Sequence, residues 1–338
     1  MKKSVKFFVF AAASVMLAAC THEKNETGLD HLVAARITAD VSGLQTRATG
    51  ATWNADKIGV MTVSASGTMA NYKNVGYKTS STGASATFTP ITLGGGIFFE
   101  DADDVITFAA YAPYASTANA STLPGSSNDG KIAVNTSSQD TATAQEAIDY
   151  LYATGAKASK SSPIVEFKDD YAFKHKMARL VLKVQVSTSD GFSSGDVLNL
   201  ADYKLGGLIH EGTFDMTSGT AAVNGTAVTD WMLRQCSGES ESRKATDNCV
   251  ASYSNSNGEM TLTMILLPQT LSKALAFSVA PNDGEEQTYS NTAGIQPGLE
   301  AGKSYSYTVT VKKTGLEVSG CTITDWTPVT DVAADATM

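Results

Sequence analysis

From residue 33 to residue 312 the chain returns repeatedly to short runs in which apolar and polar residues alternate or β-branched residues cluster, punctuated by Gly, Ser, Thr and Asn. A period of two sends successive side chains to opposite faces of an extended backbone, so such runs fold as strands with one buried face. The pattern predicts strands over residues 57–63, 105–110, 179–186, 260–267, 275–279 and 305–312, the last with Tyr305 and Tyr307 on one face. One short helix is expected over 141–151 (TATAQEAIDYL), and 197–200 reads as loop. Strands recurring at intervals of about ten residues give an all-β sandwich, and roughly 300 residues of mature chain supply two sandwich domains in tandem. The Lys-, Ser- and Gly-rich segment 153–168 precedes the strong run at 179–186, which divides an N-terminal domain, 31–170, from a C-terminal domain, 171–338.

The start of the chain is a different kind of segment. Lys2, Lys3 and Lys6 lead into an apolar or small run over residues 7–19, closing on Leu17-Ala18-Ala19-Cys20. That run is shorter than the roughly 20 residues a spanning helix needs, so 1–19 reads as a secretion signal. A cysteine directly after Leu-Ala-Ala resembles the bacterial lipobox and makes Cys20 the candidate lipidation site. Each buried acyl CH₂ contributes about 0.8 kcal/mol, so a multiply acylated Cys20 holds a chain at a membrane surface. Residues 20–30 are too polar to pack and read as a lipidated tether.

Loss of Lys2, Lys3 and Lys6 with the signal lowers the formal charge from −9 to −12, and the remaining charge is scattered. Nucleic acid is excluded as a partner, because phosphate binding needs a basic face. Cys236, Cys249 and Cys321 follow Cys20, an odd number that leaves at least one thiol without an intramolecular partner. Cys236 and Cys249 flank a Ser/Glu/Asn-rich stretch and are a candidate loop disulfide. Cys321 alternates with Ile323 and reads as a small packed hydrophobe.

No constellation points to catalysis or a cofactor. His22, His31, His175 and His210 have no second His or Cys at zinc spacing. The acidic group Glu100, Asp101, Asp103 and Asp104 lacks the spaced ligands of a calcium loop and reads as a turn. Gly94-Gly95-Gly96 is followed by neither a helix nor Gly-Lys-Ser/Thr, and no Gly-x-Ser-x-Gly occurs. Trp53, Trp231 and Trp326 are candidates for a glycan-stacking surface, although aromatic residues at strand positions more often fill cores.

Residues 31–42 (HLVAARITADVS) place Val33, Ala35, Ile37, Ala39 and Val41 on one face of a strand, and the link behind it, 43–50, carries Arg47. Further motifs follow in order. They are Thr46-Arg47-Ala48-Thr49-Gly50-Ala51-Thr52-Trp53 with Asp56-Lys57-Ile58-Gly59-Val60, then Phe108-Ala109-Ala110-Tyr111-Ala112-Pro113-Tyr114, then Asp149-Tyr150-Leu151-Tyr152-Ala153. Phe173 to Leu180 (FKHKMARL), Leu266-Leu267-Pro268-Gln269-Thr270 and the closing stretch from Gly302 to Trp326 complete the set. Together with the lipobox they resemble the Bacteroidales fimbrillin family, the Mfa-like lipoprotein pilus subunits.

The resemblance implies two transthyretin-like sandwiches, export as a lipoprotein precursor to the outer membrane, and assembly with other fimbrial subunits by strand exchange. A surface arginine-specific protease would cut between Arg47 and Ala48, releasing the strand 31–42. The vacated groove would accept a donor strand, either 325–338 or the freed stretch beginning at Ala48. Such a subunit is structural, or a tip or accessory component, of a surface fimbria. The alternative is a lipid-anchored glycan- or host-binding module that does not polymerise.

Overall fold

The computed structural model describes residues 32–40, 53, 56–64, 72–100, 104–115, 130–234, 253–256, 258–271, 275–281, 289–295 and 298–326. The six expected strands form as Lys57–Ser64, Ile106–Ala112, Ala178–Val186, Glu259–Leu266, Leu275–Pro281 and Lys303–Lys312. In the last, Tyr305, Tyr307, Val309 and Val311 are buried and the residues between them half exposed, so the period of two is what the core uses. The expected helix is shorter, Ala142–Ile148, and starts where the Thr141 side chain accepts the Ala144 N–H at 3.1 Å. Residues 197–200 are not loop: a 3₁₀ helix, Ser194–Asn199, runs directly into strand Leu200–Gly206.

The strands pair into sheets on two sides of the chain. An eight-stranded sheet runs in the order Ile164–Phe167, Arg36–Asp40, Ser85–Pro90, Val75–Lys78, Lys57–Ser64, Ile106–Ala112, Leu151–Ala158 and Lys174–His175. It encloses a core with Trp53, Phe99, Phe108, Phe167 and Phe173 fully buried. A five-stranded sheet, Tyr253–Ser256, Glu259–Leu266, Ala178–Val186, Lys303–Lys312 and Gly315–Asp325, shares a second core with a four-stranded one. The four strands are Trp231–Arg234, Leu200–Gly206, Leu275–Pro281 and Tyr289–Ile295. Leu180, Leu182, Leu262 and Val309 on one side and Tyr203, Leu205 and Phe277 on the other fill that core.

A third cluster joins the two. Strand Lys131–Asn135 pairs with Glu211–Asp215, which in turn pairs with Thr220–Val223, so early and late parts of the chain share one small sheet. Tyr150 stacks on Phe214 with ring centroids 4.4 Å apart, and Met177, Ile265, Leu267 and Trp326 close the cluster.

Buried amides finish what the strands leave open. Tyr253–Ser256 covers the outer edge of Glu259–Leu266 only as far as Leu262, so Thr263 to Leu266 have no strand on that side among the described residues. Gln139 takes the place of one. Its Oε1 accepts the Ile265 N–H at 2.8 Å while its Nε2 donates to Ile265 O at 2.9 Å and Thr136 O at 2.7 Å. Gln145, buried on the helix, donates to Thr263 O at 2.8 Å. Gln269 does the same for Ile209, accepting its N–H at 2.9 Å and donating to its carbonyl at 3.1 Å. Unpaired backbone groups in a core are unfavourable, and an amide side chain offers the same donor and acceptor as a peptide unit.

Candidate functional site

The first strand is where the chain departs from an ordinary sandwich. Val33–Ala34 pairs antiparallel with Phe98–Phe99, and Arg36–Asp40 then lies between two strands of the eight-stranded sheet. On one side it pairs antiparallel with Ser85–Pro90, placing Ile37 opposite Phe88 and Ala39 opposite Ala86. On the other it pairs parallel with Ile164–Phe167, with Val165 beside Ile37 and Phe167 beside Ala39. Both edges of Arg36–Asp40 are therefore in ladders. The connection from Leu151–Ala158 to Ile164–Phe167 is short enough for a direct hairpin, yet Ile164–Phe167 pairs with the first strand instead.

The side chains follow the expected alternation. Ala35, Ile37 and Ala39 are 7%, 0% and 1% exposed, which marks a face sealed into the core, while Arg36 points to solvent. Trp53 sits behind the strand. Its indole N–H donates to Ala39 O at 3.1 Å, and its ring meets Phe88 and Phe173 edge-on at 5.0 and 5.3 Å. The Ala35 N–H donates to Ile97 O and the Arg36 N–H to Pro163 O, both at 2.8 Å. Withdrawing the strand would leave facing backbone edges on Ser85–Pro90 and Ile164–Phe167 and uncover an apolar floor that includes Trp53, Phe88, Val165 and Phe167. Such a surface favours replacement by another extended segment.

Cys20, Arg47 and Ala48, together with Cys236 and Cys249, lie outside the described residues, as do His31 and Val41. Cys321 corrects the expectation of a packed hydrophobe. It is free and exposed, on a stretch of Gly315–Asp325 where Ile323 is also 50% exposed. The strand there is the edge strand of its sheet, and among the described residues nothing covers its stretch from Cys321 to Asp325. Asp325 and Trp326 belong to the fold, so the stretch 325–338 is not free from its first residue. Asp325 ends that strand, and the buried Trp326 ring stacks on His175 at 3.9 Å with Arg179 over it at 5.7 Å.

Trp53, Trp231 and Trp326 are all buried and present no stacking platform to solvent. His175 pairs with Asp149 at 2.9 Å in the interior. His210 is also buried. Its Nδ1 meets Thr136 Oγ1 at 2.9 Å, its Nε2 has no partner among the described residues, and burial pushes its pKa down to about 4. Among the described residues no group of three or more His, Cys, Asp or Glu is placed to hold a metal ion. Gln139, Gln145 and Gln269 escaped sequence reasoning, because a polar side chain carries no local sign that it will be buried.

A predominantly β chain that encloses one of its earliest strands between two others of an eight-stranded sheet defines the class as a β-sheet protein of sandwich type. The sequence profile of the family described as fimbrillin-like matches residues 46–326, and the chain belongs to that family. A relative named as a candidate fimbrium subunit, Fim1C of Bacteroides uniformis, is 27% identical over 94% of this chain and 93% of its own length. The crystal structure of a candidate cell adhesion protein from Bacteroides ovatus superposes with a TM-score of 0.64 at 27% identity, over 88% of this chain and 98% of that one. A second candidate cell adhesion protein, from Bacteroides uniformis, shares the fold with a TM-score of 0.62 at 23% identity, over 89% and 100% of the two chains.

Proposed function

We propose that this chain is a non-enzymatic subunit of a surface fimbria, exported as a lipoprotein acylated at Cys20 and held at the outer membrane until it assembles. Proteolysis between Arg47 and Ala48 frees the first strand, and a strand from a neighbouring subunit takes its place. The observation that carries this reading is the position of Arg36–Asp40, which is paired on both edges and buried on one face although it comes first in the chain. A strand held only by noncovalent ladders leaves once the link behind it is cut, and its slot then presents backbone partners and apolar surface to a replacement. We read the cores on either side of Phe173 and Met177 as two transthyretin-like sandwiches, with the groove in the first. The partners are other fimbrial subunits and a surface arginine-specific protease.

The test is treatment of the purified precursor with an arginine-specific protease. Expected are a new N-terminus at Ala48, loss of the first strand, and multimers that resist SDS. A cleaved chain that stays monomeric with undiminished stability would exclude strand exchange.

A further inference from the structure

We propose that the end of the eight-stranded sheet at which the chain enters the fold is a lipid-contact surface. Its partner is the phospholipid bilayer that holds the acyl chains of Cys20, so the inference rests on the lipoprotein reading.

Among the described residues seven large apolar side chains are exposed, and five of them fall at strand termini. Leu32 precedes Val33–Ala34, Leu93 follows Ser85–Pro90, Val105 precedes Ile106–Ala112, Val63 is the penultimate residue of Lys57–Ser64, and Ile164 opens Ile164–Phe167. The pairings bring those termini together. Ile164–Phe167 runs parallel to Arg36–Asp40, and each further step across Ser85–Pro90, Val75–Lys78, Lys57–Ser64 and Ile106–Ala112 is antiparallel. All five side chains therefore lie at one end of the sheet's strands. The opposite ends carry Asp40, Lys57 and Lys78, with Lys168 and the exposed Tyr171 beyond Phe167. Exposed apolar side chains scattered singly need no account, whereas five gathered at one end mark an interaction surface.

Charge does not select the occupant. Arg36, Lys73, Lys157 and Lys160 stand at this end with Glu100 and Asp104, and Asp101 and Asp103 come between those two in sequence, four charges against four. The covalent path selects it instead. Residues 21–31 join Cys20 to Leu32 and reach about 36 Å at roughly 3.3 Å each. The end of the fold that the tether meets first is thus also the apolar one. Such a surface needs little affinity of its own, because the anchor raises its effective concentration at the bilayer. With this end on the lipid, Asp40 and the start of the link that carries Arg47 leave at the opposite end, toward solvent and the protease.

The test uses the full acylated precursor in phosphatidylcholine vesicles with brominated acyl chains. Leu93→Trp or Tyr171→Trp adds one tryptophan to the buried Trp53, Trp231 and Trp326. Contact at the headgroup–acyl boundary is expected to quench the emission added by Leu93→Trp by roughly half, and that of Tyr171→Trp not at all. Salt is expected to leave the quenching unchanged. Flotation with the vesicles reports the anchor separately. A chain that floats while Leu93→Trp stays unquenched overturns the lipid contact and leaves the lipoprotein reading standing; a chain that does not float defeats both. Shielding of Leu93→Trp without vesicles, with copies cross-linked through this end, assigns the surface to a second subunit and likewise overturns the inference. An arginine-specific protease is expected to cut the vesicle-bound precursor as fast as the detergent-dispersed one, and slower cutting on vesicles overturns the orientation.

Discussion

Ile37 is the side chain on which retention of the first strand depends most. It is fully buried, with Phe88 and Val165 beside it in the sheet. Ile37→Ala removes three buried carbons, a transfer loss of roughly 2.4 kcal/mol at about 0.8 kcal/mol each. The surrounding rings are held edge-on to one another and close only partly over the space, so the cavity term brings the total to about 3–4 kcal/mol. Thr38→Ala, on the same strand but half-buried, loses only a hydroxyl contact of 3.4 Å to Val165 O, worth about 0.5 kcal/mol. Urea unfolding of the uncut chain lacking residues 1–20 separates the two cases. The isoleucine variant is expected to show a large drop in midpoint at unchanged slope, and the threonine variant almost none. After cleavage behind Arg47 the same loss emerges as weaker retention of the strand, by roughly a hundredfold or more. A cost for Ile37→Ala below about 1 kcal/mol, or equal costs at the two sites, would mean that the strand is peripheral and that no groove opens beneath it.

Other expectations follow from the interior and from the link. His210 is held neutral by burial, with a pKa of about 4 against 6.5 in the unfolded chain, so only the unfolded chain takes up a proton between those values. Stability is therefore expected to fall as pH drops from 6.5 toward 4, by roughly 3 kcal/mol, and His210→Gln should flatten that window in urea titrations at stepped pH. Gln139→Ala strips the Ile265 N–H and C=O and the Thr136 carbonyl of partners inside the third cluster. A loss of about 2–4 kcal/mol is expected by thermal unfolding, and a neutral result would show that the amide does not serve as a substitute strand. Arg47→Ala should abolish both the Ala48 N-terminus and SDS-resistant multimers on protease treatment, while unaltered processing would place the cut elsewhere.

Local pattern carried much of the fold. The inward faces of Lys303–Lys312 and of the first strand are legible because alternation is a property of consecutive residues, independent of which strand lies alongside. The Thr141 cap is legible for the same reason: its partner is three residues away. The helix still ends sooner than expected, at Ile148, with Tyr150 drawn into the stack on Phe214. At 197–200 the absence of an apolar period hid both the 3₁₀ turn and the strand that follows it.

Pairing is a different matter. The contact that makes the candidate site, Arg36–Asp40 beside Ile164–Phe167, joins residues more than 120 positions apart, as Thr38 and Val165 are 127 apart, and no local signal names that partner. The glutamines are invisible for the same reason, since their value comes from orphaned backbone on a strand far along the chain. Cys321 shows the converse: alternation assigned it a face but could not report that both it and Ile323 are left exposed among the described residues. Alternation by itself determined that the chain forms strands and which side chains of the first strand turn inward. Only the tertiary structure decided that this strand is enclosed on both edges, because backbone hydrogen bonds between strands carry no side-chain address and are selected by the packing of the whole core.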